Sequence, residues 1–300
     1  MLPAPSRPAE FAAYWDALDA ELATLPSVPD LEPLPLRSSD DYTCYTIKLT
    51  SVGPYRIFGY YSVPNGPGPH PGLLLTPRYG SVNHVPDYTD RMRYAVLQIM
   101  HRGQRLADKP FAAAYPGLLT HGIDDPSSYI YRGIVADCLR AAEFLSSRPE
   151  VDKSRIGING DDLAILVAAR RPVFSAVQVT GYLLYQLAEA RRRSEAYPTE
   201  ELNDYARAFP DHEDAIDRTV SFFSAEKFAP GVTVRTQLAV GDAGAINGPE
   251  WLAPLISAFG GPVEQYKVTH AGGTDNDALD AWLAAELGVP AMSKFVRELA

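Results

Sequence analysis

The sequence is short of cysteine: its 300 residues include two, Cys44 and Cys138. They fall far apart, one on a predicted strand and one on a predicted helix. That excludes a disulfide framework or a zinc-ligand spacing and leaves two half-buried thiols, as suits a reducing compartment. No apolar run approaches the roughly 18 residues that a membrane helix needs. The opening Met-Leu-Pro-Ala-Pro-Ser has no basic stretch leading into an apolar one, so no secretion signal is read. Positive charge is also scarce. Lys and Arg number 27 against 37 Asp and Glu, a formal charge of −10, which argues against nucleic acid or an anionic membrane as partner. The densest basic run, Arg191 to Arg193, sits on a predicted helix and reads as a solvated face. There is no internal repeat and no low-complexity tract. The longest Pro/Gly stretch, Pro64 to Pro71, reads as a turn between strands rather than a linker. The expectation is a soluble cytoplasmic protein.

What is present is ordinary globular composition, 46% hydrophobic and 21% charged. Residues 8–25 place Phe11, Tyr14, Trp15, Leu18 and Leu22 at helical spacing, with Pro8 suited to the first turn. Two strand-like segments follow, Cys44 to Thr50 and Tyr55 to Val63. Only Ser51 to Pro54 separates them, which predicts an antiparallel hairpin. Then come short apolar runs at Gly72–Leu75, Tyr94–Met100, Arg155–Ile158, Ala176–Val179, Thr236–Val240 and Val263–Val268. Helical patterns separate most of them, the clearest over 127–147 with Val135, Leu139, Ala142 and Leu145 on one face. Strands buried on both faces and alternating with helices mean a mostly parallel, doubly wound α/β sheet. Residues 182–228 hold no convincing strand and read as a helical insertion, and residues 1–40 as an N-terminal arm. The whole chain, 1–300, reads as a single domain.

Open parallel sheets bind ligands beyond the carboxyl ends of their strands. After Leu75 comes Thr76-Pro77-Arg78-Tyr79-Gly80, and after Met100 comes His101-Arg102-Gly103-Gln104. Ile158 is followed by Asn159-Gly160-Asp161-Asp162-Leu163-Ala164, running into a helix. Val240 leads into Gly241-Asp242-Ala243-Gly244, and Val268 into Thr269-His270-Ala271. This is the layout of an α/β-hydrolase, in which a tight strand-to-helix turn carries the nucleophile, followed in chain order by an acid and a histidine. His270 stands where the base belongs.

On these residues the chain resembles the acetyl xylan esterase and cephalosporin C deacetylase family. The likeness covers nearly the whole chain. It is strongest over Tyr115-Pro116-Gly117 through Gly122-Ile123-Asp124-Asp125-Pro126, then Tyr129, Tyr131-Arg132 and Asp137. Arg102-Gly103-Gln104 matches the family's Arg-Gly-Gln, and Glu150 to Ile156 matches the segment entering the nucleophile strand. The resemblance implies a homo-oligomer acting on small acetylated sugars or other esters, with no metal and no cofactor. It places His270 on the family histidine and Tyr79 on the oxyanion-hole tyrosine, with the backbone N–H of Leu163 as second donor. It also implies that Arg102 and Gln104 belong to the oxyanion and substrate-binding surroundings, with Arg102 tying loops together through hydrogen bonds. Two positions depart from the family. Gly160-Asp161-Asp162-Leu163-Ala164 stands for Gly-Gly-Ser-Gln-Gly, so Asp162 falls on the serine. Gly244 falls on the acid, with Asp242 two residues earlier.

Aspartate carries no hydroxyl, and its attack on an acetyl ester would form a mixed anhydride while expelling a poor alkoxide. Losing a triad serine costs about 10⁶-fold in turnover in subtilisin. Three readings stay open. The chain has lost esterase chemistry and binds a small ligand or partner. Alternatively Asp162 attacks saturated carbon, as in haloalkane dehalogenases and epoxide hydrolases, with His270 and Asp242, Asp275 or Asp277 hydrolysing the alkyl ester. Or His270 or Asp162 activates water for weak hydrolysis. Asp162 also has purely structural readings, as the N-terminal cap of its helix or as an ion-pair partner of His270. Tyr79 reads equally as a packing aromatic.

Overall fold

The computed structural model describes residues 10–80 and 84–294. In chain order the elements are α1 (Phe11–Thr24), β1 (Asp30–Pro33), β2 (Tyr42–Ser51), β3 (Tyr55–Pro64), β4 (His70–Leu75), α2 (Tyr88–Arg93), β5 (Ala95–Ile99), α3 (Ile130–Ser147) and β6 (Val151–Asp161). Then come α4 (Leu163–Arg170), β7 (Ala176–Gly181), α5 (Leu187–Ala190), α6 (Glu200–Ala208), α7 (Glu213–Ser221), β8 (Arg235–Val240), α8 (Pro249–Ala258), β9 (Val263–Lys267) and α9 (Gly272–Leu287).

The strands form one sheet in the order β1-β2-β3-β5-β4-β6-β7-β8-β9. The expected hairpin is there: β2 and β3 pair antiparallel from Tyr42↔Pro64 to Ser51↔Tyr55. From β5 onward every pairing is parallel. The fold is that of an α/β-hydrolase, a large, mostly parallel sheet flanked by helices. Leu74, Ile158 and Val177 face the layer built by α1, α3 and α4. On the other face Leu73, Val96 and Ala176 pack beneath Leu283 and Leu287 of α9. Two buried faces explain the near-continuous apolar runs.

The run Val263–Val268 was expected to be buried on both faces, yet β9 is the sheet edge and exposes Glu264, Gln265 and Lys267. β1, within the expected arm, is a strand on the opposite edge, paired with β2 from Asp30↔Lys48 to Pro33↔Tyr45. Cys44 and Cys138 are free thiols, fully rather than half buried. Arg191 is not on a solvated face: it turns inward against Glu213 and Asp217, while Arg192 and Arg193 stay at the surface.

α1 forms because Phe11, Trp15, Leu18 and Leu22 recur every three or four residues and bury one stripe; Pro8 lies outside the described residues. The stripe reaches the far end of the insertion. Trp15 donates its ring N–H to the carbonyl of Phe222 (3.1 Å) and packs edge-on against Phe223 and Phe228. The insertion between β7 and β8 is helical as expected, made of α5, α6, α7 and short 3₁₀ turns.

Candidate active site

The corner between β6 and α4 is tight because Gly160 lies against β4: a Cβ there would land on the Oγ1 of Thr76. Between Gly160 and Asp161 the β6–β7 register shifts, with Thr180 of β7 as the extra residue. Asp162 then turns the chain. Its backbone is already helical (φ −59°, ψ −12°), so its carboxylate does not cap α4. It reaches instead to the segment leaving β7. Oδ1 accepts the N–H of Leu183 (3.1 Å), and Oδ2 those of Leu184 (2.8 Å) and Tyr185 (2.6 Å). The expected cap and the expected ion pair with His270 are therefore both replaced by a backbone staple that starts the insertion.

Asp162 is completely buried. Burial, and then the Asp161 carboxylate beside it, push its pKa up to about 7, against the pull of the three N–H donors. Burial also raises the pKa of Asp161, opposed by the nearby Arg78. Among the described residues the Oδ1 of Asp161 has no hydrogen-bond partner. Arg78 itself reaches Thr180 at 2.9 Å.

His270 lies elsewhere. It follows β9 in a left-handed conformation (φ 61°), and its side chain is 66% exposed. Its Nε2 meets Asp242 Oδ2 at 2.9 Å, and Lys267 binds the other oxygen at 2.8 Å. Lys267 first, and His270 next, hold the Asp242 carboxyl below the usual range. The sequence-level pairing of His270 with Asp242 is thus present. Asp275 does not join it, being engaged by Thr269 and Tyr266.

Tyr79 packs edge-on against Tyr115 (5.2 Å between ring centres) and donates its hydroxyl to Glu201 Oε1. Leu163, the first residue of α4, is 4% exposed. Around the corner, Tyr79, His101, Tyr131, Asp161, Asp162, Leu163 and Leu184 leave a void of about 10 Å³, enough for roughly one water molecule. A larger open cleft of about 810 Å³ runs along α8, lined by Gln186, Arg193, Ile246, Glu250, Trp251 and Pro254 among others.

Arg102 and Gln104 fasten loops. Arg102 grips Asp137 through Nε (3.0 Å) and Nη2 (2.6 Å), with Gly133 leaving space for the guanidinium. Gln104 accepts the N–H of His101 (2.9 Å) and donates to the carbonyls of Arg78 (3.1 Å) and Gly80 (2.7 Å). Two buried residues at the corner escaped sequence reasoning. His101 hydrogen-bonds the carbonyl of Arg102 at 3.0 Å, so Nδ1 carries the proton, and burial lowers its pKa to about 4. Glu201 looks, in sequence, like any acid on the first turn of a surface helix. Among the described residues no three His, Cys, Asp or Glu gather as a metal site, and no helix is long and apolar enough to cross a membrane.

The model of the acetyl xylan esterase (AXE1) family matches residues 2–252. The chain belongs to that family. A curated member-like relative, the acetyl esterase Axe7A of Xylanibacter ruminicola, is 25% identical over 191 residues, 58% of this chain and 43% of its own. The chain thus aligns with less than half the length of that relative. Among solved structures, the acetyl xylan esterase from Paenibacillus sp. R4 superposes with a TM-score of 0.82 at 24% identity, covering 94% of this chain and 96% of that one. Acetyl xylan esterase 1 from Thermoanaerobacterium sp. JW/SL YS485 gives 0.78 at 20%, covering 93% and 95%. At these identities the likeness is one of fold. Within an acetyl xylan esterase family scaffold, the β6–α4 corner of this chain presents a carboxylate bound to backbone, and its histidine–acid pair stands in an exposed loop.

Proposed function

We propose that this family member has given up serine-esterase catalysis and keeps the scaffold for binding a small ligand. One observation carries the reading: both oxygens of Asp162 accept backbone N–H groups, of Leu183, Leu184 and Tyr185, in a fully buried setting. A nucleophile needs a lone pair aimed at substrate and a base to take its proton. Here the corner side chain has no hydroxyl, its carboxylate is tied to the N–H groups of Leu183, Leu184 and Tyr185, and the imidazole of His270 bonds Asp242 in an exposed loop and not the corner residue. The void of about 10 Å³ at the corner is the size of roughly one water molecule. The same points weigh against Asp162 as a nucleophile at saturated carbon.

Binding is better served by the cleft of about 810 Å³. Its lining sets Ile246, Trp251 and Pro254 beside Arg193 and Glu250, and its size is that of small-molecule sites. Assay of the purified chain with p-nitrophenyl acetate and acetylated xylan tests the reading. Turnover near that of free imidazole is expected, and robust turnover abolished by His270→Ala contradicts it. The exposed His270–Asp242 pair supports a second reading, weak ester hydrolysis by imidazole-activated water. That reading predicts a slow rate lost in both His270→Ala and Asp242→Asn.

A further inference from the structure

Two residues of opposite charge line the cleft along α8 without pairing with each other. Arg193 lies over the ring of Trp251, 4.9 Å from its centre. Its Nε and Nη2 both reach Oε1 of Glu189 at 2.8 Å. That fixes the guanidinium and leaves Nη1 without a partner among the described residues. Glu250, the residue before Trp251, accepts the Gly244 N–H on Oε2 at 3.3 Å, and its Oε1 has no partner among the described residues. Trp251 is 9% exposed, yet its ring N–H meets no acceptor among the described residues, whereas buried indoles ordinarily find one. Ile246, Pro254 and Ala258 supply an apolar wall. The cleft is also tied to the β6–α4 corner. Asp162 holds the Tyr185 N–H. The Tyr185 hydroxyl donates to the Trp251 carbonyl (3.1 Å) and accepts the side-chain N–H of Gln186 (3.1 Å). Gln186 lines the cleft in a left-handed backbone conformation (φ 48°), which costs free energy in a non-glycine residue and persists where surrounding contacts impose it. The corner carboxylate thereby sets one wall of the cleft.

We propose that this cleft recognises a small zwitterion with an apolar body, the chemistry of a free aromatic or aliphatic α-amino acid. Its carboxylate takes Arg193 Nη1 and the Trp251 ring N–H. Its ammonium takes Glu250, and its side chain lies against Ile246, Pro254 and Ala258. The lining carries one positive and one negative side chain. A ligand with both charges and no net charge matches that lining. A simple anion is repelled by Glu250 and a simple cation by Arg193, and such repulsion contributes to specificity. Arg193, clamped between Glu189 and the indole, has lost its rotamer freedom before a ligand arrives, which lowers the cost of binding. This ligand class rests on the reading of the cleft as a binding site, and not on the loss of esterase chemistry.

Ligand-observed NMR titration of the intact chain with L-phenylalanine, phenylpropanoate, phenethylamine and phenethyl alcohol tests it. Phenylalanine should bind about tenfold more tightly than each of the others, which lack one charge or both. Arg193→Gln should weaken phenylalanine and phenylpropanoate about tenfold and should not weaken phenethylamine. Glu250→Gln should weaken phenylalanine and phenethylamine by a similar factor and should not weaken phenylpropanoate. That crossed pattern separates recognition of charge from damage to the cleft, which weakens every probe alike. Parallel loss of all probes in either variant overturns the proposal, as does either singly charged probe binding the wild type as tightly as phenylalanine. Phenethyl alcohol binding as tightly as phenylalanine overturns it too, while leaving the cleft a ligand site. No binding by any of the four overturns it and leaves the loss of esterase chemistry to the p-nitrophenyl acetate assay.

Discussion

The carboxylate of Asp162 and the backbone N–H of Tyr185 meet at 2.6 Å, across a gap of 23 residues in sequence. With Leu183 and Leu184 this contact joins the end of β6 to the exit of β7, so the corner where hydrolase folds mount their nucleophile becomes a structural joint.

Truncating that joint strands three buried N–H groups. Asp162→Ala should cost about 3 kcal/mol or more, since each unsatisfied buried donor costs ~1–3 kcal/mol. Asp162→Asn, which keeps one acceptor oxygen, should cost less. Urea unfolding midpoints measure both.

The joint also titrates. A carboxyl whose pKa is about 7 folded, against 3.8 ordinarily, binds its proton more tightly in the native state. Its contribution is full below about pH 4 and lost as pH rises through 7. His101 runs the other way: with a folded value of about 4 against 6.5, its contribution is full above pH 6.5 and lost as pH falls through 4. The two offset each other between pH 4 and 6.5, so the wild-type profile alone hides them. The penalty of Asp162→Asn should be greater at pH 5 than at pH 8, by up to about 2 kcal/mol. An equal penalty at both would mean that Asp162 does not titrate there.

Arg102 and Asp137 form a bidentate pair with Asp137 fully buried. Asp137→Ala leaves the guanidinium without its counter-charge, at a cost of about 3–5 kcal/mol. Arg102→Lys should recover only part of the pairing, because an ammonium cannot bind both oxygens in one plane. Thermal unfolding of the two variants ranks them.

Trp15 connects α1 to the insertion. Trp15→Ala should cost about 3–5 kcal/mol and should speed proteolytic cleavage within 190–215 before elsewhere. Uniform acceleration along the chain would mean that α1 supports the sheet generally.

Much of this architecture is legible in the chain itself. The apolar runs ending at Leu75, Ile158 and Val240 mark strands because burial on both faces leaves no alternation. Tyr45 and Tyr61 face each other across a hairpin whose turn is short. β1 is hidden because Pro29 and Pro33 bracket it, and proline is tolerated there only at an edge. The exposure of β9 depends on what lies beyond it, which local sequence does not encode. At the site, the strand-end positions of Tyr79, Asp162, Asp242 and His270 follow from topology. Their partners do not. The three N–H groups that hold Asp162 come from the exit of another strand, and Glu201 looks like an acid that complements its helix dipole.

The proposed loss of serine-esterase chemistry implies that no serine is primed by His270. Intact-protein mass spectrometry after incubation with a fluorophosphonate, which captures serines primed by a histidine, tests it most directly. The account predicts an unmodified mass over hours, identical for the wild type and His270→Ala. A stoichiometric adduct on a serine, formed by the wild type and lost in His270→Ala, would contradict it.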